Sequence, residues 1–143
     1  MLPPDHRIEN ALLAAMDRTD LERLMPFLFE VPLAVKSVLE VPGRPVANVY
    51  FIESGLLSVL ATSPRDRRCG IALIGREGMT GVAALLADDP FANETIVQSA
   101  GSALRISTNE LWHAMAASAG LRRGLLRFCH AFISQVRQTG LCN

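Results

Sequence analysis

The spacing of apolar residues changes twice along the chain, and the first stretch has a helical period. Near the N-terminus the apolar side chains recur at intervals of three and four, at Ile8, Leu12, Leu13 and Met16. A second short helix is predicted from Thr19, because Thr19 and Glu22 have the spacing of a capping box, and Pro26 limits its length. We therefore expect short helices over about residues 1–30.

Over about residues 31–106 the pattern becomes that of short strands. Apolar runs of a few residues alternate with Pro and Gly, a density of turn residues typical of a closed β structure. Residues 49–52 and 56–61 are predicted to form a hairpin joined by Glu53, Ser54 and Gly55. Further strands are expected at residues 71–74, 95–98 and 103–106. The series predicts a mainly β fold, either a closed sandwich or a jelly roll.

Helical spacing returns over residues 107–143. Ser107 and Glu110 have capping-box spacing ahead of a short helix. Trp112 and Met115 on that helix are interpreted as core residues rather than a platform for a ligand. A longer helix follows, with an apolar stripe close to a coiled-coil seam at Leu121, Leu125, Phe128, Phe132 and Val136. This stripe either packs on its own barrel or pairs with a second copy in a homodimer.

The composition limits the classes of function that the chain can have. The chain has 143 residues, the size of one domain, and its 14 Lys plus Arg balance 14 Asp plus Glu, so direct DNA binding is disfavoured. The densest basic group, Arg65, Arg67 and Arg68, is interrupted by Asp66 and fits a solvated turn. No leader and no apolar run long enough for a membrane span are found, so a cytoplasmic location without membrane contact is expected.

Enzyme chemistry finds little support in the sequence. Cupin enzymes also have a jelly-roll fold, but they place metal-binding histidines inside the barrel. Here His6, His113 and His130 all lie outside the predicted barrel segment. We predict no catalytic residue, no metal and no cofactor, and keep a small cupin-like enzyme as an alternative.

Several segments resemble the cyclic-AMP receptor protein/Fnr superfamily. They are Pro42-Gly43, residues 49–55 (Val-Tyr-Phe-Ile-Glu-Ser-Gly), residues 71–81 (Ile-Ala-Leu-Ile-Gly-Arg-Glu-Gly-Met-Thr-Gly) and the long last helix. The resemblance spans nearly the whole chain. It implies one sensor domain over residues 1–143, with a double-stranded β-helix and a C-terminal dimerisation helix. It also implies that DNA is bound only through a further C-terminal domain that this sequence does not include.

The resemblance also implies where an effector would bind. A glycine followed by a short helix holds the phosphate in this family, and that cassette is expected here at Gly81, Val82, Ala83, Ala84 and Leu85. Backbone N–H groups at a helix start, approached closely because glycine lacks a Cβ, suit an anion. Other pocket candidates lie near the start of the following strand, at Asn93, Glu94 and Thr95.

Two charged residues of the family pattern are missing. Val82 stands where the family has a glutamate for the ribose, and no Lys or Arg occurs between Glu77 and Leu104, where the family has an arginine for the phosphate. We therefore predict an effector-sensing and dimerisation module of a Crp/Fnr-type transcription regulator, with an unknown small-molecule effector and no ordinary cyclic-AMP binding. The alternatives are a divergent cassette that does bind a cyclic nucleotide, and a constitutive dimer unit whose cavity Val82 and Leu86 fill.

Overall fold

Short helices lead into the sheet. The computed structural model describes residues 2–62, 68–86 and 93–139, so residues 65–67 of the predicted basic turn lie outside it. Helix α1 spans Ala11–Ala14, and α2 spans Arg18–Leu24 before a 3-10 turn at Met25–Phe27. The capping box predicted at Thr19 is wrong, because α2 begins one residue earlier, with Asp17 as its N-cap.

In the part of the chain that the structure describes, five antiparallel strands form the sheet. They are β1 (Phe29–Leu33), β2 (Val38–Glu40), β3 (Asn48–Thr62), β4 (Arg68–Ile74) and β5 (Asn93–Ser107). Their order is β1-β5-β3-β4, and β2 also pairs with β5. Strands β3 and β5 run alongside each other from Asn48↔Ser107 to Ala61↔Asn93. The predicted mainly β class with flanking helices and a long last helix is confirmed.

The predicted hairpin around Ser54 and Gly55 is wrong. Residues 48–62 form one long strand, and its pairing with β5 shifts register around Ser54. Gly55 has a φ of +91°, and a Cβ on Gly101 opposite would lie 2.1 Å from the carbonyl oxygen of Ser54. The two glycines therefore mark a bulge where two long strands approach closely, rather than a chain reversal. Residues 95–98 and 103–106 likewise belong to the single strand β5.

Helices α4 (Thr108–Ala117) and α5 (Ala119–Thr139) follow the sheet. The capping box at the start of α4 is confirmed, because the Ser107 side chain accepts the Glu110 N–H at 3.2 Å. The core lies between the sheet and these helices, with α4 against β5 and α5 against β4. Its largest fully buried side chains include Phe51, Ile52, Leu57, Leu104, Ile106, Leu111 and Leu125.

Candidate functional site

Gly81 lies at the end of a tight loop that packs against β3. The Thr80 N–H donates to the Tyr50 carbonyl, and the Tyr50 N–H donates to the Thr80 hydroxyl oxygen, both at 3.0 Å. These bonds hold the loop against β3. Gly81 then has a φ of +89°, and a Cβ there would lie 2.7 Å from Cγ2 of Val49. Only glycine meets both conditions without strain.

A short helix, α3 (Val82–Leu86), begins directly after Gly81. We call Gly81 and α3 together the cradle. The carbonyl oxygen of Gly81 accepts the N–H groups of Ala84 and Leu85 at 3.0 and 3.3 Å. The indole N–H of Trp112 donates to the Ala84 carbonyl at 3.1 Å. The prediction that Trp112 is a core residue is wrong, because it is 39% exposed, whereas Met115 is buried in the core as predicted. Through its hydrogen bond Trp112 is a tether between α4 and the cradle.

A carboxylate from a distant strand reaches the cradle. Glu40, the last residue of β2, accepts the Gly81 N–H through Oε2 at 3.1 Å. Its Oε1 accepts the Thr95 hydroxyl at 2.6 Å. Burial raises the pKa of Glu40 above its ordinary value of 4.5, and the hydrogen bonds from Thr95 and Gly81 partly oppose that rise.

The cavity beside the cradle is small. Its volume is about 30 Å³, room for little more than a water molecule. Most of its wall is apolar, and its polar side chains are those of Glu40, Arg44, Thr80, Asn93 and Thr95. Phe132 of α5 completes the wall, so the dimerisation-helix candidate touches the same cavity.

The pocket residues predicted from sequence are only partly brought together. Gly81, Val82, Asn93 and Thr95 line the cavity. Glu94 instead forms an ion pair with Arg68 at the start of β4. The remaining three lie on α3, where Ala84 binds Trp112, Leu85 is partly buried, and the side chain of Ala83 lies outside the described residues.

Sequence reasoning missed Glu40 and Arg44. Both precede the cassette by about 40 residues, and only the pairing of β2 with β5 places Glu40 beside Thr95. The one signal available was an acidic residue, Glu40, inside the otherwise apolar run 38–41. The two charged residues of the family pattern are missing from their expected positions, but the cavity has a carboxylate and an arginine from elsewhere in the chain.

The predicted dimer stripe lies against the chain's own core. Leu121, Leu125 and Phe132 are 2%, 1% and 8% exposed in a single chain. Phe128 and Val136 are partly buried and pack against the same core, and the Phe128 and Phe132 rings stack with centroids 6.2 Å apart. The opposite side of α5 is exposed and includes Leu126 and several arginines. The use of this stripe in a dimer stays a prediction.

One group within the described residues has the composition of a metal site. His6 Nε2 lies 2.8 Å from Oε1 of Glu53, and His6 Nδ1 lies 3.8 Å from Oε2 of Glu30. Oε2 of Glu53 already accepts the backbone N–H groups of Glu9 and Asn10. The observed role of this cluster is to fix the N-terminal segment onto β3.

Within the described ranges, no helix is both long and apolar enough to cross a membrane.

Several solved structures are similar to this chain. The N-terminal domain of a transcriptional regulator from Streptomyces coelicolor has 21% identity and a TM-score of 0.65, over 93% of this chain and 96% of that one. A cyclic nucleotide-binding domain from Methylobacillus flagellatus has 14% identity and a TM-score of 0.73, over 92% and 78%. The catabolite activator protein of Thermus thermophilus has 13% identity and a TM-score of 0.70, over 91% of this chain and 60% of that protein.

These identities support the fold alone. No curated protein is similar enough in sequence to count as a match. The family model of the cyclic nucleotide-binding domain matches residues 32–118. Because that match covers more than half of the chain, the chain belongs to the cyclic nucleotide-binding domain family.

Proposed function

We propose that the chain is the effector-sensing and dimerisation module of a Crp/Fnr-type transcription regulator, and that its cavity does not take cyclic AMP in the ordinary way. One observation carries the second part: the Glu40 carboxylate accepts the Gly81 N–H, the group expected to face a phosphate. The chain thus supplies its own anion to the cradle. The family and the structural neighbours support the first part.

Electrostatics argues against a phosphate at this position. Two unit charges 4 Å apart repel by about 4 kcal/mol at an effective dielectric constant near 20, which corresponds to roughly a thousandfold in affinity. A phosphate would either meet the Glu40 carboxylate at this range or displace it from two hydrogen bonds. Arg44 lines the cavity but is exposed, so solvent screens the attraction that it can offer.

The test is calorimetric titration of the wild-type chain with cyclic AMP. We expect no binding at micromolar nucleotide, because the cradle N–H is occupied and the cavity is small. Glu40→Ala removes the competing carboxylate and should strengthen any residual binding, while Glu22→Ala, an exposed change on α2, should not. Micromolar affinity in the wild type that Glu40→Ala abolishes would overturn the proposal.

A second candidate function, a divergent cyclic-nucleotide site, is favoured by Glu40 and Arg44. Glu40 and Arg44 line one cavity, so they could replace the missing family pair, with the carboxylate binding a ribose hydroxyl and the guanidinium a phosphate. This divergent cyclic-nucleotide site predicts micromolar binding that Arg44→Ala weakens by about a hundredfold, the usual loss for a charge-assisted bond. The cavity of about 30 Å³ favours the first candidate.

The proposed dimerisation rests on the surface of helix α5. Because Leu121, Leu125 and Phe132 are already covered in one chain, a partner helix would have to use the remaining exposed surface of α5 as well. Leu126 is 37% exposed there, so Leu126→Asp should change association without unfolding the monomer. We expect a dimer for the wild type and a folded monomer for Leu126→Asp by sedimentation equilibrium. A wild-type monomer would contradict this part.

The remaining expectations concern the whole regulator. With 14 basic and 14 acidic residues, this chain has no net charge to draw it to DNA, so we infer that DNA would be bound by a further C-terminal domain. We propose a cytoplasmic regulatory role without catalysis. One of the similar structures is the N-terminal domain of a transcriptional regulator, which supports that role.

A further inference from the structure

A second pocket lies away from the cradle, between the N-terminal helices and the first half of α5. Its volume is about 310 Å³, at the lower end of the range of roughly 300–1,000 Å³ found for small-molecule sites. Leu12 and Met16 form one wall, and Leu121 and Leu125 of α5 form the other. This pocket shares no lining residue with the cradle cavity.

A buried carboxylate faces this pocket without a partner. Asp20 on α2 is 8% exposed, lines the pocket, and makes no hydrogen bond or ion pair within the part of the chain that the structure describes. None of the buried side-chain oxygens in the described residues lacks a hydrogen-bond partner, so the Asp20 carboxylate oxygens, which have none, are reached by solvent from the pocket. The N-terminus of α5 lies nearby, since a Cβ on Gly120 would be 3.8 Å from Asp20 Oδ2. The helix dipole favours the charge there but fills none of its hydrogen-bonding capacity.

The charge around the pocket indicates the class of ligand. Asp17 and Arg127 also line it, and both are exposed, so the two acidic groups outnumber the one basic group. The rest of the wall is aliphatic or glycine. A cationic head next to Asp20 and a hydrocarbon part on Leu121 and Leu125 would satisfy both features.

We propose that this pocket binds a small amphiphilic cation of the alkylammonium class, with its ammonium group paired to Asp20. This inference does not rest on the proposed function of the cradle. The site is nevertheless connected to it, because Leu121 and Leu125 in this pocket and Phe132 in the cradle cavity belong to the same helix, α5. A ligand here would clamp α5 to the N-terminal helices and give the sensor a second input.

The test is titration of the full chain with hexylammonium, followed by calorimetry and by amide shifts of residues 12–20 and 120–127. Hexanol and hexanoate are the matched neutral and anionic probes. We expect hexylammonium to bind with at least about tenfold higher affinity than hexanol, and hexanoate not to bind. Asp20→Asn should lower the affinity by about tenfold or more, whereas Asp5→Asn, an exposed change outside the pocket, should not.

A filling variant tests the pocket without removing the charge. No atom lies within 4 Å of a Cβ built on Gly124, so Gly124→Leu enters open space on α5. It should abolish binding and raise the melting temperature, because leucine favours helix over glycine. The proposal is overturned if the wild type does not bind hexylammonium at millimolar concentration, or if Asp20→Asn binds it equally well. It is also overturned if Gly124→Leu turns a dimer into a monomer, since a second copy would then fill the pocket.

Discussion

Glu40 and Gly81 are 41 positions apart in sequence, yet the Glu40 carboxylate accepts the Gly81 N–H in the cradle. Gly81 could be predicted, because a glycine before a short apolar helix has a recognisable pattern. Glu40 could not, because nothing in the local sequence of β2 states which strand it will pair with or which way its side chain will face. The absence of a charged side chain at Val82 is visible in the sequence, whereas the sequence does not show that Glu40 and Arg44 line the same cavity.

At Gly81 the cost of a left-handed φ can be measured separately from the cost of the close contact with Val49. Gly81→Ala should cost about 3 kcal/mol of unfolding free energy, from the left-handed φ and from the contact with Val49 Cγ2. Gly43 has a similar φ of +80° with nothing near its Cβ position, so Gly43→Ala should cost only about 1 kcal/mol. Urea denaturation of both variants measures the difference. Equal losses would contradict the close contact with Val49.

The ionisation of Glu40 should be visible in the pH dependence of stability. Its folded-state pKa is raised, so the folded state binds the proton more tightly than the unfolded state does. This contribution to stability is fully present below the ordinary pKa of 4.5 and is lost as pH rises through the folded-state value. Glu40→Gln should therefore flatten the stability profile above pH 4.5, measured by urea denaturation at a series of pH values. The exposed Glu22→Gln should keep the wild-type slope, and a slope unchanged in Glu40→Gln would contradict the account.

At the scale of elements, the helices were easier to predict than the strands. The helix α4 begins where the capping box of Ser107 and Glu110 places it, because that signal is local. The strands β3 and β5 were each divided in two by prediction, since Gly55 and Gly101 resemble turn residues in sequence. In the fold they face each other across a bulge, a relation that depends on pairing between distant segments.

The Trp112 indole should hold the cradle helix in place. Trp112→Phe keeps an aromatic ring but removes the hydrogen bond to the Ala84 carbonyl, which is worth about 1 kcal/mol. Hydrogen exchange of the amides of residues 82–86 should become about fivefold faster. His113→Ala, an exposed neighbour on α4, is the control and should leave that exchange unchanged. Equal exchange in Trp112→Phe and the wild type would show that the tether has no effect.

The reactivity of the Cys129 thiol measures whether α5 stays packed against the sheet. It is fully buried on α5, and burial raises the pKa of its thiol to about 11. Because the thiolate is the reactive form, alkylation of Cys129 at pH 8 should be slow and should follow the opening of α5. Peptide mapping by mass spectrometry measures the rate. Alkylation as fast as in the unfolded chain would mean that α5 does not pack as described.

At the scale of the whole molecule, the order of elements and the family were predictable from the sequence. They depend on patterns spread over many residues, and the match over residues 32–118 agrees with them. The partner of α5 was not predictable, because an apolar stripe suits either the chain's own barrel or a second copy. In the fold Leu121, Leu125 and Phe132 are covered by their own chain, which a stripe alone cannot indicate.

The most direct test of the account follows the Gly81 amide in a two-dimensional ¹H–¹⁵N spectrum, first against pH and then against cyclic AMP. If the Glu40 carboxylate occupies the cradle, the Gly81 resonance will move as Glu40 titrates above its ordinary pKa of 4.5, and Glu40→Gln will remove that movement. Added cyclic AMP will leave the resonance where it is. A Gly81 resonance insensitive to pH that shifts and saturates at micromolar cyclic AMP would contradict the account.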